Sequence, residues 1–401
     1  MDTQEFDIAI VGAGLVGSSL ACAIVQQDKT QSIRIALIEA SNDVQYFTSE
    51  SFDPRVVALT QASQNLLRRL GVWEDIEQAR ACAYSDMHVW DGEGTSEIHF
   101  TSADVRANYL GHIVENSVIV TALRKKIAQH SQITLVQPVS VESLENGNGV
   151  TITLSNDQII FARLLIAADG AHSKVRELAE FETREWDYGH KAIITTVQTE
   201  LPHQSTAWQR FMRTGPLAFL PLPTTNGKYF CSIVWSAQSE FADDLMQMSA
   251  TEFNARLAQS FEHKLGKIIH SSERFIVPLR QRHAKTYIQP HIVLVGDAAH
   301  NIHPLAGQGV NLGLLDVAAL SQEIERASER NIPLNDFSIL RRYQRQRLAN
   351  NLIMMSAMEA FKRLFGSESL VVTLLRNTGM RQLNSLTELK KIIVKTAMGL
   401  E

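Results

Sequence analysis

Residues 6–17 read FDIAIVGAGLVG, and residues 33–39 read IRIALIE. FDIAIV is a short β-branched run, as a strand buried in a parallel sheet requires. GAGLVG follows without a spacer, and Leu15 to Gln27 is then rich in Ala, Leu, Val and Ile without proline, a helix. Ile33–Ile38 is a second buried strand that ends on Glu39. Strand, glycine turn, helix, strand and acid make a βαβ unit. Gly12 permits the tight turn, Gly14 lets the backbone approach a pyrophosphate, and Gly17 lets the helix pack close to the strand. The helix start offers N–H donors and partial positive charge to phosphates. Glu39 stands about 20 residues beyond the glycines, where an acid accepts ribose hydroxyls. An acid there disfavours a 2′-phosphate, so the site suits FAD or NAD better than NADP.

Two further motifs follow buried strands. Residues 164–176 read LLIAADGAHSKVR, delivering Asp169 and Gly170 to a turn with Ser173 and Arg176 next. Residues 293–313 read VLVGDAAHNIHPLAGQGVNLG, with Gly296 and Asp297 at a strand end and Pro304–Gly309 as a loop opening a helix. Between them, residues 190–282 change character. AIITTVQT, LAFLPL and YFCSIVW alternate as antiparallel strands do, with one helix near 250–263. Short strands are also expected near 84–110, at 133–136, 149–154, 159–161 and 164–167, and helices at 62–70 and 117–130. From about 309 onward the chain reads mainly as helix. The fold class is therefore α/β. A discontinuous Rossmann-like dinucleotide domain (1–83, 111–183 and 284–345) is interrupted by an antiparallel-sheet substrate domain (84–110 and 184–283). A helical C-terminal region, 346–401, follows.

Composition narrows the function classes. The chain has 401 residues, 45% hydrophobic, enough for a packed core of two or three domains. Its 38 basic and 43 acidic residues leave a net charge of −5, against a global grip on nucleic acid. Cys22, Cys82 and Cys231 are scattered and odd in number, which argues against a disulfide framework or a zinc site and for a reducing compartment. No apolar run approaches ~18 residues, and the acidic start does not suit a signal peptide. A cytoplasmic protein is expected.

The three motifs, in this order and spacing, resemble the single-component FAD-dependent aromatic hydroxylases of the para-hydroxybenzoate hydroxylase class. The resemblance implies that FAD is held by Gly12, Gly14, Gly17 and Glu39, by Asp169, Gly170 and Arg176, and by Gly296 and Asp297. Arg55, in FDPRVVAL, matches an arginine near the FAD phosphates, and Asn116, in VENSVIVTAL, a polar FAD-contacting position. The loop residues Pro304, Gly307, Gln308 and Gly309, with Asn311, would lie along the flavin ring. DPRVVALTQAS, LGHIVENSVI, HPLAGQGVNLG and AMGL resemble, over essentially the whole chain, the ubiquinone-biosynthesis hydroxylases of the UbiH/UbiF/VisC type. That implies NADH or NADPH as transient reductant, O2 as co-substrate, and ring hydroxylation of a prenylated phenol through a flavin C4a-hydroperoxide. LGHIVENSVI, CSIVWS and WDY look most like the member acting on 2-polyprenylphenol at ring carbon 5, with 3-demethoxyubiquinol hydroxylation as the alternative.

No side chain stands out as an acid–base catalyst. His303 is the candidate that would face substrate or flavin; His300, His112 and Glu115 read as structural. Phe219 and Pro221 are expected to line an apolar substrate pocket. The tail carries Leu340, Tyr343, Arg347, Leu348, Leu352, Met355, Met358, Phe361 and Phe365 at helical spacing, with Arg341, Arg342, Arg345, Lys362 and Arg363 alongside. Such a helix packs on its own domain or lies on an anionic membrane. The expected partners are thus the prenylated phenol, other ubiquinone-biosynthesis proteins, a second copy of the chain, and the inner-membrane surface. A halogenase is disfavoured because no WxWxIP stretch occurs. A prenyl-lipid reductase and a catalytically idle FAD-binding scaffold stand as the competing classes.

Overall fold

The computed structural model describes residues 3–42, 51–92, 94, 96–301 and 308–365, with 388, 390, 391, 394, 395, 398 and 399. The chain opens with β1 (Gln4–Val11), α1 (Leu15–Gln27) and β2 (Ile35–Ile38). It continues through β3 (Val56–Thr60), α2 (Gln61–Arg69), α3 (Trp73–Arg80), β4 (Ala81–Tyr84), β5 (Asp86–Asp91) and β6 (Glu97–Thr101). Next come β7 (Gly111–Glu115), α4 (Asn116–Ile127), β8 (Ile133–Val136), β9 (Val141–Asn146), β10 (Val150–Leu154), β11 (Ile159–Ala167) and α5 (Lys174–Leu178). The insert supplies β12 (Thr183–Thr199), β13 (Thr206–Met212), β14 (Gly215–Thr225), β15 (Lys228–Gln238), α6 (Ser239–Gln247), α7 (Ala250–Ser260), β16 (Ile268–Ser271) and β17 (Phe275–Ala284). The chain returns through β18 (Ile288–Gln289), β19 (Ile292–Leu294) and β20 (His300–Asn301) to α8 (Gln308–Glu329) and α9 (Phe337–Phe365).

Three sheets organise these elements. In the first, β19, β11, β1, β2 and β8 lie side by side and every neighbouring pair is parallel. Ile8, Ile10, Ile35, Leu37, Leu164, Ile166 and Val293 are almost wholly buried there. Each such side chain contributes about 1.5–3 kcal/mol of transfer free energy, which is why both faces read as unbroken apolar runs. α1 packs on this sheet between α4 and α8, which share its buried core. The second sheet has nine strands, mostly antiparallel, and joins β5 and β6 to the insert through a parallel β5–β13 pairing. The third is the small β3–β7–β4 sheet.

Several expectations are revised. The strands expected at 159–161 and 164–167 are one strand, β11, because Ala162 and Arg163 offer no break between them. Three helices go beyond the sequence reading: α3, the short α5, and α6, whose Ala242 and Leu245 bury against the insert. α9 runs unbroken across residue 345.

Candidate active site

The three motif turns leave the carboxyl ends of adjacent parallel strands: Gly12 after β1, Ala168–Gly170 after β11 and Gly296 after β19. The strand ends are stitched together by Gly12 N–H to the Ile38 carbonyl (2.8 Å), Ala168 N–H to Val11 (2.8 Å) and Val295 N–H to Ala167 (3.0 Å). A crevice beyond such strand ends is the ligand site of open α/β sheets.

In the first turn Gly12 has φ +98°, and a Cβ there would stand 2.4 Å from the Ala168 carbonyl oxygen. A Cβ on Gly17 would stand 1.9 Å from the Gly12 carbonyl oxygen. These two glycines are required by the chain itself. Gly14 differs: a Cβ there would meet nothing within 4 Å, so its bareness faces open space. No side chain caps α1 and no acid sits in its first turn, so its leading N–H groups stay available to an anion. Glu39 accepts Ala13 N–H at 2.7 Å and Ser41 N–H at 3.0 Å. Those bonds fix the carboxylate at the mouth of the turn with lone pairs to spare.

Arg55 and Asn116 meet at the start of α4, where Asn116 N–H donates to the Arg55 carbonyl at 2.8 Å. The Arg55 side chain is 69% exposed. Beneath it lies a buried pair of acids. Asp53 accepts the N–H groups of Arg55 (2.8 Å) and Ser117 (3.0 Å), while Glu115 accepts Asp53 N–H at 2.7 Å and pairs with Arg80 at 3.0 Å. Burial raises the Glu115 carboxyl above its ordinary range. Arg124 of α4 is a further neighbour of the cofactor turn: burial lowers its guanidinium, and the Glu39 carboxylate partly offsets this. Asp53 stands beside Arg55 in FDPRVVAL but is not singled out by the sequence, and Arg124 carries no motif signal there; α4, packed on α1, brings it near Glu39.

In the second turn Gly170 has φ +82°. Asp169 accepts Val175 N–H at 3.1 Å through Oδ2, while its Oδ1 is enclosed without a well-aligned hydrogen bond. Burial raises this carboxyl, against smaller opposing effects of Ser173 and nearby N–H groups. Arg176 is 6% exposed and donates to the Ala298 carbonyl at 2.9 Å and the Ala171 carbonyl at 2.9 Å. It ties the second turn to the third, a strut behind the crevice.

In the third turn Asp297 is exposed, yet the protein crowded around its carboxyl raises it above the ordinary range, with His300 acting the other way. Exposure and crowding coincide on the wall of a crevice. The Gly309 Cα faces the same wall: a Cβ there would lie 3.9 Å from Asp297 Oδ1. Gln308 begins α8, and His303, Pro304 and Gly307 lie outside the described residues. Asn311 accepts Thr60 N–H (3.0 Å) and the Ser63 hydroxyl (2.7 Å), and donates to Ala58 (2.8 Å). It is 2% exposed and binds α8 to β3 and α2, which corrects the expectation that its amide serves the cofactor.

Two other expectations are also revised. Phe219 is fully buried and stacks on Phe261 with ring centroids 3.7 Å apart. Pro221 pairs with Cys231 on that same face of β14, so both belong to the helix-covered core of the insert and not to the pocket wall. The opposite face carries Leu222 and Phe230, packed on Phe52, Ala58 and Ile113 of the dinucleotide domain. Between these anchors one row across three strands, Ile194, Val234 and Ala218, is left half-buried. In the tail, Tyr343 and Arg347 are buried, and Val394 and Met398 pack on Leu110. These residues face the chain itself. Among the described residues no helix is long and apolar enough to cross a membrane. His112 is 3% exposed and packs edge-on against Trp73 and Tyr109, and burial lowers it to about 4, in keeping with a structural role.

The arrangement fits FAD: open backbone at Gly14, an anchored acid at Glu39, an exposed cation at Arg55 held 3.8 Å from Asp53, and two crowded carboxyls lining one crevice. Residues 5–350 match the family described as FAD binding domain. The chain is 35% identical over 401 residues, 100% of both chains, to the 3-demethoxyubiquinol 3-hydroxylase of Escherichia coli. It is 33% identical to the ubiquinone hydroxylase UbiL of Rhodospirillum rubrum over 98% of this chain and 89% of that one. It is 30% identical to the human ubiquinone biosynthesis monooxygenase COQ6 over 98% of this chain and 92% of that one. In fold it is similar to the p-nitrophenol 4-monooxygenase of Pseudomonas putida, with a TM-score of 0.79 at 18% identity over 100% of both chains. Turns, crevice and relatives converge: the chain belongs to the FAD binding domain family and is an FAD-dependent monooxygenase, of the class that uses NAD(P)H and O2.

Proposed function

We propose that this enzyme hydroxylates the aromatic ring of a polyprenylated phenol in ubiquinone biosynthesis. The observation that carries the reading is the half-buried apolar row of Ile194, Val234 and Ala218, flanked by Leu220 on the sheet face whose Leu222 packs on the dinucleotide domain. An aromatic head with a hydrocarbon tail needs an apolar wall of this kind. When bound, FAD reduced by NAD(P)H activates O2 so that one oxygen atom passes to an electron-rich ring. The chain's own part is to bind and orient. Glu39 would hold the ribose, the α1 N-terminus and Arg55 would take the pyrophosphate, and Asp169 and Asp297 would bond the remaining hydroxyls. The apolar wall sets the ring at a fixed distance and excludes water, and correct placement of an already activated phenol supplies much of the rate.

For the ring position, the motifs LGHIVENSVI and CSIVWS favour 2-polyprenylphenol at carbon 5. The full-length match to the E. coli enzyme favours 3-demethoxyubiquinol as the second reading. Complementation separates them. Strains lacking one ring hydroxylase each receive this chain, and the quinone intermediates are weighed by mass spectrometry. Restored ubiquinone in only the strain blocked at carbon 5 supports the first reading, restoration in only the other supports the second, and restoration in neither sinks both. Contact of α9 with a membrane surface is part of the same proposal: Arg341, Arg345, Leu352 and Ile353 are exposed along that helix. Salt-dependent flotation with anionic liposomes tests it, and failure to float at low salt rejects it.

A further inference from the structure

Behind the Gly-Asp turn lies a buried ionic knot. Asp316 of α8 is fully buried. Its Oδ2 accepts the Gly296 N–H at 2.9 Å and bonds His300 Nε2 at 2.6 Å; its Oδ1 accepts the Nε–H of Arg347 at 2.6 Å. Gly296 and His300 stand on either side of Asp297 in the chain, so one carboxylate grips both ends of the segment that carries it. Arg347, on α9, also donates to Asn351 Oδ1 at 2.9 Å. Asn351 donates to the Tyr287 hydroxyl at 3.1 Å, which His283 of β17 also meets at 2.9 Å. The knot therefore joins the Gly-Asp turn, both long C-terminal helices and the inserted sheet.

Charges so deeply buried do not earn their place through stability, since an apolar replacement of similar volume is often as stable. Burial alone would raise the Asp316 carboxyl; His300 and Arg347 outweigh it and hold the group below its ordinary range. The turn has little freedom on its other side, where a Cβ on Gly296 would lie 3.3 Å from Val16 of α1. α8 also supplies an internal control. Glu323, 3% exposed, is held by Arg326 at 2.6 Å and by Arg342 of α9 at 2.7 Å. It ties the same two helices together but touches no cofactor turn.

We propose that Asp316 is a positioning residue for the flavin: with His300 and Arg347 it sets the depth and angle of the Gly-Asp turn, so that Asp297 faces the crevice. The proposal rests on reading that crevice as the flavin cradle. The test uses full-length protein stripped of FAD and titrated back, following flavin fluorescence, the visible circular dichroism of bound flavin, and the melting temperature. Asp316→Asn is expected to weaken FAD binding about tenfold or more in folded protein and to change the flavin dichroism. Glu323→Gln is expected to lower the melting temperature while FAD affinity stays within about twofold and the spectrum is unchanged. His300→Gln, which keeps a donor, should lose less, and it carries the test if Asp316→Asn does not fold. Folded Asp316→Asn, or His300→Gln in its place, with the affinity and dichroism of the parent overturns the proposal. Asp297→Ala separates the two levels. If it leaves FAD binding intact, the cradle reading fails and the positioning role with it. If Asp297→Ala weakens binding while Asp316→Asn does not, only the positioning role fails.

Discussion

The glycine turn after β1 and the Gly-Asp turn after β19 lie at the same end of one sheet but are held by different means. The first is held by backbone. Gly12 and Gly17 leave room for carbonyls that would otherwise collide with a Cβ at 2.4 and 1.9 Å, and the acid that completes the turn, Glu39, follows on the next strand. The third is held by buried charged side chains: Asp316 on α8, 20 residues beyond Gly296, and Arg347 on α9, with His300 across from His283 on β20 and β17. The Asp-Gly turn falls between the two, since its strut Arg176 is local but spans to Ala298. A turn made of backbone fails by steric collision, and one made of buried charge fails by loss of a partner.

Substitutions can break or sharpen that contrast. Gly17→Ala should have the largest effect. Its Cβ would fall 1.9 Å from a backbone carbonyl, a collision costing about 3 kcal/mol or more, and the purified protein should lack bound flavin. A normal yield of yellow, folded protein would refute the backbone account. Arg176→Met should come next. It leaves the Ala298 carbonyl unpaired in the interior, about 2 kcal/mol by urea unfolding, without new collision. Gly14→Ala should leave stability within about 0.5 kcal/mol, because its backbone is extended and its surroundings are open. Its cost should instead appear in FAD affinity. Equal loss of stability in Gly14→Ala and Gly17→Ala would erase the distinction between glycines needed by the fold and by the ligand.

The smallest effect concerns pH. Crowding holds the Asp297 carboxyl above its unfolded value. The stability it contributes is therefore full below the ordinary carboxylate range and is lost as pH rises through the raised value. Asp297→Asn should make the flavin-free protein slightly more stable than the parent near neutral pH, with the gain vanishing in acid. A gain that persists in acid would mean that the carboxyl is not crowded.

The sheet faces show where reading the sequence stopped. The alternation in LAFLPLP identified β14 as a strand, but alternation does not say which face looks at the crevice. Phe219 and Pro221 proved to face α6 and α7, while Leu220 and Ala218 face the other way. A one-residue step moves a side chain to the opposite face, and only packing against Phe52, Ala58 and Ile113 fixes which face is which. Asn311 is a similar case. Its place in the flavin-loop motif suggested the cofactor, and its carbonyl oxygen is taken by Thr60 and Ser63 while its amide nitrogen donates to Ala58. Arg347 fell in the helically spaced stripe of the tail with Tyr343 and Leu348, which does not name a partner, and it is buried against Asp316.

By itself the sequence determined the βαβ unit, the interrupted parallel sheet and the three turns, because strand burial and glycine sterics are set by residues close together in the chain. The choice of FAD chemistry came from the resemblance of those turns, in their order, to the FAD-dependent aromatic hydroxylases. Tertiary structure alone decided which face of the inserted sheet packs on the dinucleotide domain, which of the motif's polar groups are struts, and that Asp316, His300 and Arg347 stand behind Asp297. Those facts depend on contacts between segments far apart in the chain. There the cost of burying a charge is met only when its partners arrive from other elements, and no local pattern records that meeting.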